Sequence, residues 1–179
     1  MNVKIESFSL RHLIPQFREF NSATRENRKR LKPYFWWARD NGMARFQIVL
    51  CGVLAEKIAH AFHDLPYNKK FIIRNDGKFA GMIGLDGACQ NADRAELWIF
   101  VTREYAGQNV ASHAIKLVEE YATQQSIKKI CARVSYGNWP SRGILQKNDY
   151  TIYKTHLNHW RGIVEQFWCK TLPIKNIEK

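Results

Sequence analysis

Nothing in this sequence stays apolar for long. The longest run, "IVLCGVLA", falls far short of the roughly 20 residues that span a bilayer, so no membrane-spanning helix is expected. The opening "MNVKIESFSLRHL" lacks the uninterrupted apolar core of a secretion signal, and the chain reads as cytoplasmic. Cysteine is sparse and scattered: Cys51, Cys89, Cys131 and Cys169 contain no C-x-x-C pair. In a cytoplasmic chain that pattern reads as free, mostly buried thiols rather than a metal or redox centre. Internal repeats, low-complexity tracts and linkers are absent as well. Acidic residues are in short supply, 16 against 28 Lys+Arg, a formal excess of +12.

That excess attracts acidic proteins, nucleic acid or anionic ligands, and is silent about fold. It is densest in "RENRKRLK", Arg25 to Lys32, which reads either as a solvated helix face or as a docking segment. No aromatic RNA-binding sheet motif accompanies it. With 45% hydrophobic and 25% charged residues, the 179-residue chain has the composition of one soluble globular domain spanning 1–179.

The pattern along the chain is mixed. "VKIESFSLRHL" alternates like a strand, residues 14–31 form a helix stopped before Pro33, and "FQIVLCGVLAEKIAHAFHDL" is a second helical stretch ended by Pro66. "KKFIIRNDGKFAGMIGLDG" reads as a hairpin, because Asp-Gly takes the positive φ values of tight turns. "RAELWIFV" is a third strand, Gly107 to Gln125 a helix with Val110, Ala114, Leu117, Val118 and Tyr121 at helical spacing, and "KKICARVSY" a strand. "NWPSRGILQKN" is a short helix with Pro140 in its first turn, and "YTIYKTHL" and "IVEQFWCKTL" close the chain as an antiparallel pair. Strands that include an antiparallel meander, interleaved with helices, imply one sheet covered by helices.

The strand "ELWIFV" runs into "TREYAGQNVASHAI". A helix starting at Gly107 would aim its free backbone N–H groups and its dipole at an anion such as a pyrophosphate. By itself this is an ordinary strand-to-helix connection. The residues around it carry more. Ala95, Glu96 and Leu97, then Glu104, Tyr105, Gly107 and Ala111, then Asn138, Ser141 and Tyr150, match in order the motifs "a-E-l-G-Y-W-l", "p-E-Y-r-G-k-G-i-A" and "N-x-x-S…k-l-G-F". "ENRKRLKPYFWWAR" and "FIIRNDGKFAGMIGL" fit the companion N-terminal and hairpin patterns. The sequence thus resembles, over nearly its whole length, the GNAT family of acyl-CoA-dependent N-acetyltransferases, and within it the RimJ/RimL-like ribosomal-protein group.

The resemblance implies an α/β (α+β) fold, a mixed but mostly antiparallel twisted sheet of about seven strands flanked by helices. It implies acetyl-CoA as co-substrate, with no metal. The family's phosphate turn is R/Q-x-x-G-x-G/A; here Ala106 stands at the basic position and Asn109 at the second glycine. Asn tolerates left-handed backbone, so the turn is expected to keep its shape. The missing cation would come from Arg103, Arg142 or Lys147. Ala106, Gly107, Gln108, Asn109, Val110 and Ala111 would hold the pyrophosphate, and a backbone N–H among Phe100, Val101 and Thr102 would hold the thioester carbonyl oxygen. Asn138 would touch the pantetheine arm or cap its helix.

Acetyl transfer to an amine needs a proton acceptor near the amine and a donor for the leaving thiolate. The resemblance makes Glu96 the base and Ser141 the donor; the alternatives are a surface carboxylate and a first-turn serine. The tyrosine acid of many relatives is replaced here by Leu145. Trp36 and Trp37 would wall the acceptor side, or belong to the core. His60, His63 and Asp64 have metal-like spacing but no role in this chemistry, and Gly81 and Gly84 read as strand-packing or bulge positions. The expected acceptor is a protein N-terminal amine. A small amine, an aminoacyl-tRNA, ribosome or RNA association through the basic surface, and a non-catalytic binding module stand as alternatives. The expected state is a monomer or homodimer away from membranes.

Overall fold

The structure, a computed structural model, describes residues 1–35, 38, 47, 49–51, 53–54, 67–88, 93–159 and 162–173. Trp36, Trp37, His60, His63, Asp64 and Cys89 therefore lie outside the described residues. Described positions between 47 and 54 are helical, as the periodicity there implies.

The described strands form one seven-stranded sheet in the order β1-β2-β3-β4-β5-β7-β6. They are β1 Val3–Ser7, β2 Tyr67–Asn75, β3 Lys78–Ala88, β4 Ala95–Val101, β5 Lys129–Ser135, β6 Thr151–Asn158 and β7 Ile163–Thr171. Asp76 and Gly77, at φ 48° and 80°, make the predicted tight turn between β2 and β3. All neighbours pair antiparallel except β4 and β5, which are parallel. The last strand, β7, inserts between β5 and β6.

Period-two alternation sends side chains to two separate cores. Phe71, Ile73, Ile83 and Leu85 face one way and meet Val110, Ala114, Ile115, Val118 and Ala122 of α3 (Val110–Gln124). Ile72, Met82 and Phe100 face the other way, onto Leu13 and Phe20 of α1 (Leu13–Glu26) and Leu31 of α2 (Arg28–Leu31). Fully burying an Ile or Val contributes roughly 1.5–3 kcal/mol relative to leaving it exposed. On α3 the buried stripe runs through Ile115 and Ala122, while Leu117 and Tyr121 are only half-buried.

The expected single helix over 14–31 is two helices. Asn27 breaks it: its side-chain amide donates to the Ala23 carbonyl at 2.8 Å, and its Oδ1 accepts from the Arg103 N–H at 2.9 Å. Arg30, in the basic segment, donates to the Val101 carbonyl oxygen. At least this part of "RENRKRLK" is docked on the end of β4 rather than solvated.

Gly81 lies where β3 and β4 approach most closely; a Cβ there would stand 2.2 Å from the Phe100 carbonyl oxygen, and one at Gly84 would meet the Trp98 ring at 2.5 Å. Both glycines are packing positions. Gly81→Ala is expected to destabilise the fold by about 2–3 kcal/mol, read as a lower urea midpoint with an unchanged m-value.

Candidate active site

The turn after β4 differs from the sequence expectation in where the helix begins. Arg103–Tyr105 make a 3-10 turn and α3 starts at Val110, not at Gly107. The reason is backbone conformation: Gly107 has φ 77° and Asn109 has φ 67°, ψ 0°, both left-handed and incompatible with a helix interior. Asn109 thus adopts the conformation a glycine would otherwise supply. The first intrahelical bond there is from His113 N–H to the Asn109 carbonyl, which leaves the amides of the first turn, Val110 and Ala111 among them, without intrahelical partners. The amides of Ala106 and Gln108 donate back within the 3-10 turn, at 3.2 and 3.4 Å. A Cβ on Gly107 would meet nothing within 4 Å, so open space lies beside it.

Positive charge stands at both ends of this turn. Lys147 ends α4 (Trp139–Lys147) and donates from Nζ to Asn109 Oδ1 at 2.7 Å. Arg103 lies in the turn itself, and Arg30 stands close enough for the Arg103 charge to depress its pKa, after burial, the larger cause. A cation beside a helix N-terminus, as Lys147 is here, suits an anionic ligand. Arg142 is engaged elsewhere: its guanidinium stacks on Trp139 and Tyr136, 4.3 and 4.4 Å from the ring centres, and donates to the Tyr136 carbonyl. Asn148 fixes α4 against the turn, its amide donating to Ser112 Oγ at 3.1 Å and to the Ile144 carbonyl at 2.8 Å.

At the start of α4, Asn138 is the N-cap, accepting from the Ser141 N–H at 3.4 Å. Ser141 is half-buried. It lies six residues before Lys147, about 9 Å along the helix, so one helix joins the serine to the turn at Asn109.

Along β4 the backbone sorts the carbonyl-binding candidates. The Thr102 N–H donates to the Ala80 carbonyl at 2.8 Å. By alternation Phe100 also addresses β3, whereas Ile99 and Val101 address the β5 side. There the β4–β5 pairing consists of Ala95↔Ile130 and Glu96↔Cys131, and beyond it the strands part. Of the expected trio, Thr102 is committed to the sheet and the Phe100 ring packs against Phe20 and Phe35. Val101 keeps an amide toward the gap, and Ile99 joins it. Their signal, the parity of the strand, becomes readable only once one bond of the ladder is known.

Glu96 is exposed on the face opposite α3, with Arg133 Nε 3.7 Å from its Oε1. Its register partner across β3 is Asp86, which sequence reasoning missed. Asp86 accepts from Trp98 Nε1 at 3.2 Å. Desolvation lifts its carboxyl above the ordinary 3.8, against smaller lowering effects of the Trp98 bond and Lys70. Two acidic residues directly opposite on adjacent strands are unfavourable structurally, and here one is held by Trp98 and the other by Arg133. Among the described residues no group of three His, Cys, Asp or Glu could hold a metal ion, and no helix is long and apolar enough to cross a membrane.

Comparison with known proteins gives one family and a set of folds. The acetyltransferase (GNAT) domain model matches residues 15–151. Among solved structures, RimL, a ribosomal L7/L12 alpha-N-protein acetyltransferase, in complex with coenzyme A superposes with a TM-score of 0.81 at 11% identity, covering 96% of this chain and 95% of that one. The Microcin C7 self-immunity acetyltransferase MccE, with acetyl-CoA and AMP, gives 0.77 at 14% over 95% and 92%. An acetyltransferase from Salmonella typhimurium that modifies the N-terminal serine of the 50S subunit protein L7/L12 gives 0.76 at 10% over 97% and 96%. At such identities these structures establish the fold. No curated protein sequence matches significantly.

The raised Asp86 pKa has a definite pH signature. The native state binds this proton more tightly than the unfolded chain, so the stabilisation is complete below pH 3.8 and is lost as pH rises through the folded value. Asp86→Asn has no such loss. Urea midpoints of variant and wild type are therefore expected to differ least at pH 3 to 4 and to separate in the variant's favour as pH rises toward 7.

Proposed function

The chain belongs to the acetyltransferase (GNAT) family, and from that premise we propose that it moves the acetyl group of acetyl-CoA onto the N-terminal amine of a protein. The observation that carries this reading is the left-handed turn at Gly107 and Asn109 with Arg30, Arg103 and Lys147 around it. It offers a pyrophosphate both backbone donors and charge, with Lys147 in place of the side chain that Ala106 lacks. Gly107, Gln108, Asn109, Val110 and Ala111 form the wall against the phosphates. Val101, with Ile99, lines the gap for the pantetheine arm and the carbonyl, and Asn138 orients the start of α4.

Acetyl-CoA supplies an activated thioester when bound. Glu96, with Asp86 opposite, takes the proton of the attacking amine as the C–N bond forms. Ser141 donates a proton to the sulfur as the C–S bond breaks. Leu145, where many relatives have a tyrosine, leaves this role to the serine. The paired carboxylates also attract an ammonium group before it loses its proton. RimL and the Salmonella enzyme act on the ribosomal protein L7/L12, and the +12 excess suits an acidic protein acceptor.

A second reading has an amine acceptor that carries a nucleotide, such as an aminoacyl-tRNA. It is favoured by Trp139 and Tyr136, 63% and 47% exposed and set edge to face at 5.7 Å beside Arg142, an arrangement on which a base can stack. MccE was solved with AMP as well as acetyl-CoA. Acetylation assays with an acidic protein N-terminus and with an aminoacyl-tRNA separate the two. Trp139→Ala should slow only the nucleotide-bearing acceptor.

Calorimetry should give micromolar acetyl-CoA binding that Gly107→Asp abolishes. Lys147→Ala should weaken it about tenfold at low salt, an effect that fades as salt is raised, and Ala106→Arg in that background should restore it. Unchanged affinity in Lys147→Ala would remove the lysine from the phosphate site. In steady-state assays Ser141→Ala and Glu96→Gln should each lower kcat by about 10²-fold with little change in acetyl-CoA affinity. A fall in Asp86→Asn and none in Glu96→Gln would move the base to Asp86.

A further inference from the structure

Cys131 and Cys169 stand directly opposite each other where β5 and β7 pair antiparallel. Opposed residues in such a ladder have Cα atoms roughly 4.5–5.5 Å apart, within the span that a disulfide bridges. Their sulfurs are 3.1 Å apart, the Cys131 thiol donating to Cys169 Sγ. Both are free thiols and neither is fully buried. They lie on the open face of the sheet, in the wall of a cavity of about 650 Å³ that Arg94, Lys129, Thr151 and Tyr153 also line. Two thiols kept merely as small apolar side chains would belong in the core under α3; these face outward, toward a cationic rim.

We propose that Cys131 and Cys169 are a redox modification site, closing to a reversible cross-strand disulfide by exchange with a small anionic disulfide of the glutathione class. The acceptor of the thiol hydrogen bond, Cys169, is the attacking sulfur: it loses its proton to solvent, bonds to one sulfur of the reagent and releases the first small thiol, which takes up a proton. Cys131 then gives up its proton and attacks Cys169 Sγ, the mixed disulfide breaks, and the second small thiol leaves. Two protein thiols are oxidised and one disulfide is reduced to two thiols, so atoms and electrons balance. Burial, then the Cys169 hydrogen bond and charge, push the Cys131 thiol up to about 12, with Arg94 and Lys129 acting in the opposite direction. This agrees with Cys131 being the second sulfur to react. Cys131 is also the register partner of Glu96 at the last rung before β4 and β5 part. The cross-link would therefore sit at the closed end of that gap. The inference does not depend on the acetyl-transfer reading.

The test is incubation of the folded wild-type chain in glutathione buffers of increasing oxidised fraction, alkylation of remaining thiols, and non-reducing peptide mapping by mass spectrometry. The expected product is a peptide linked through Cys131 and Cys169, growing with oxidised fraction and removed by dithiothreitol. Cys131→Ser should leave Cys169 glutathionylated instead, whereas Cys169→Ser should leave Cys131 as an alkylatable thiol. Exposed Cys51 reports that the buffer reacts with the protein. The proposal is overturned if Cys131 and Cys169 are recovered as alkylated thiols under conditions that modify Cys51, if each carries glutathione without a cross-link, or if the link forms only in urea.

Discussion

The parting of β4 from β5 is the constraint from which the rest of this molecule follows. They are parallel neighbours that pair through Ala95↔Ile130 and Glu96↔Cys131. Parallel strands need a crossover connection, and α3 provides it, packing on the sheet through Ala114, Ile115 and Val118. Where the strands separate, the backbone of β4 on that side loses its neighbour. The amides of Ile99 and Val101 then face a gap, and the turn that begins α3 stands at the mouth of it. A cleft with backbone donors along one wall is thus a property of the topology, before any side chain is considered.

The side chains then divide that cleft by charge. Arg30 and Arg103 stand near each other at the C-terminal end of β4 and Lys147 contacts the turn beyond it, while Asp86 and Glu96 oppose each other near its N-terminal end. Five residues of strand separate Glu96 from Val101, about 17 Å. The proposed ligand, with phosphates at one end and a thioester at the other, would lie along that gradient. The two ends are held by different means. Asn27, Asn148 and Arg30 tie α1, α2 and α4 to the turn through directional hydrogen bonds. The carboxylates are held by the strand ladder, with Trp98 and Arg133 beside them.

Much of the fold was legible in the sequence because its signals are local. "NDG" set a turn, alternation gave β2 to β4, and the spacing of Val110, Ala114 and Val118 gave the helix face. The family motifs led to Glu96, Gly107, Asn138 and Ser141 as site candidates, and Asn109 was readable as a substitute for glycine. The start of α3 was read three residues early, since apolar periodicity says nothing of two left-handed residues before the first turn. Asp86 was missed because a carboxylate following a glycine-rich strand looks like any surface residue until its partner across the ladder is known. The cysteines read as unrelated thiols because nothing near either residue announces a partner 38 positions away.

By itself, then, the sequence determined the order of strands and helices, the turn geometry at Asp76-Gly77, the family, and the excess of positive charge. These depend on φ and ψ preferences and on periodicity, which act over a few residues. Only the tertiary structure decided that β7 lies between β5 and β6, and that Arg30 docks on Val101. It also decided that Lys147 rather than Arg142 reaches the turn, and that Cys131 faces Cys169. The three side-chain contacts join residues 38 to 71 positions apart, and such contacts are selected by how whole layers pack and in which register strands meet, not by the residues adjacent to either partner.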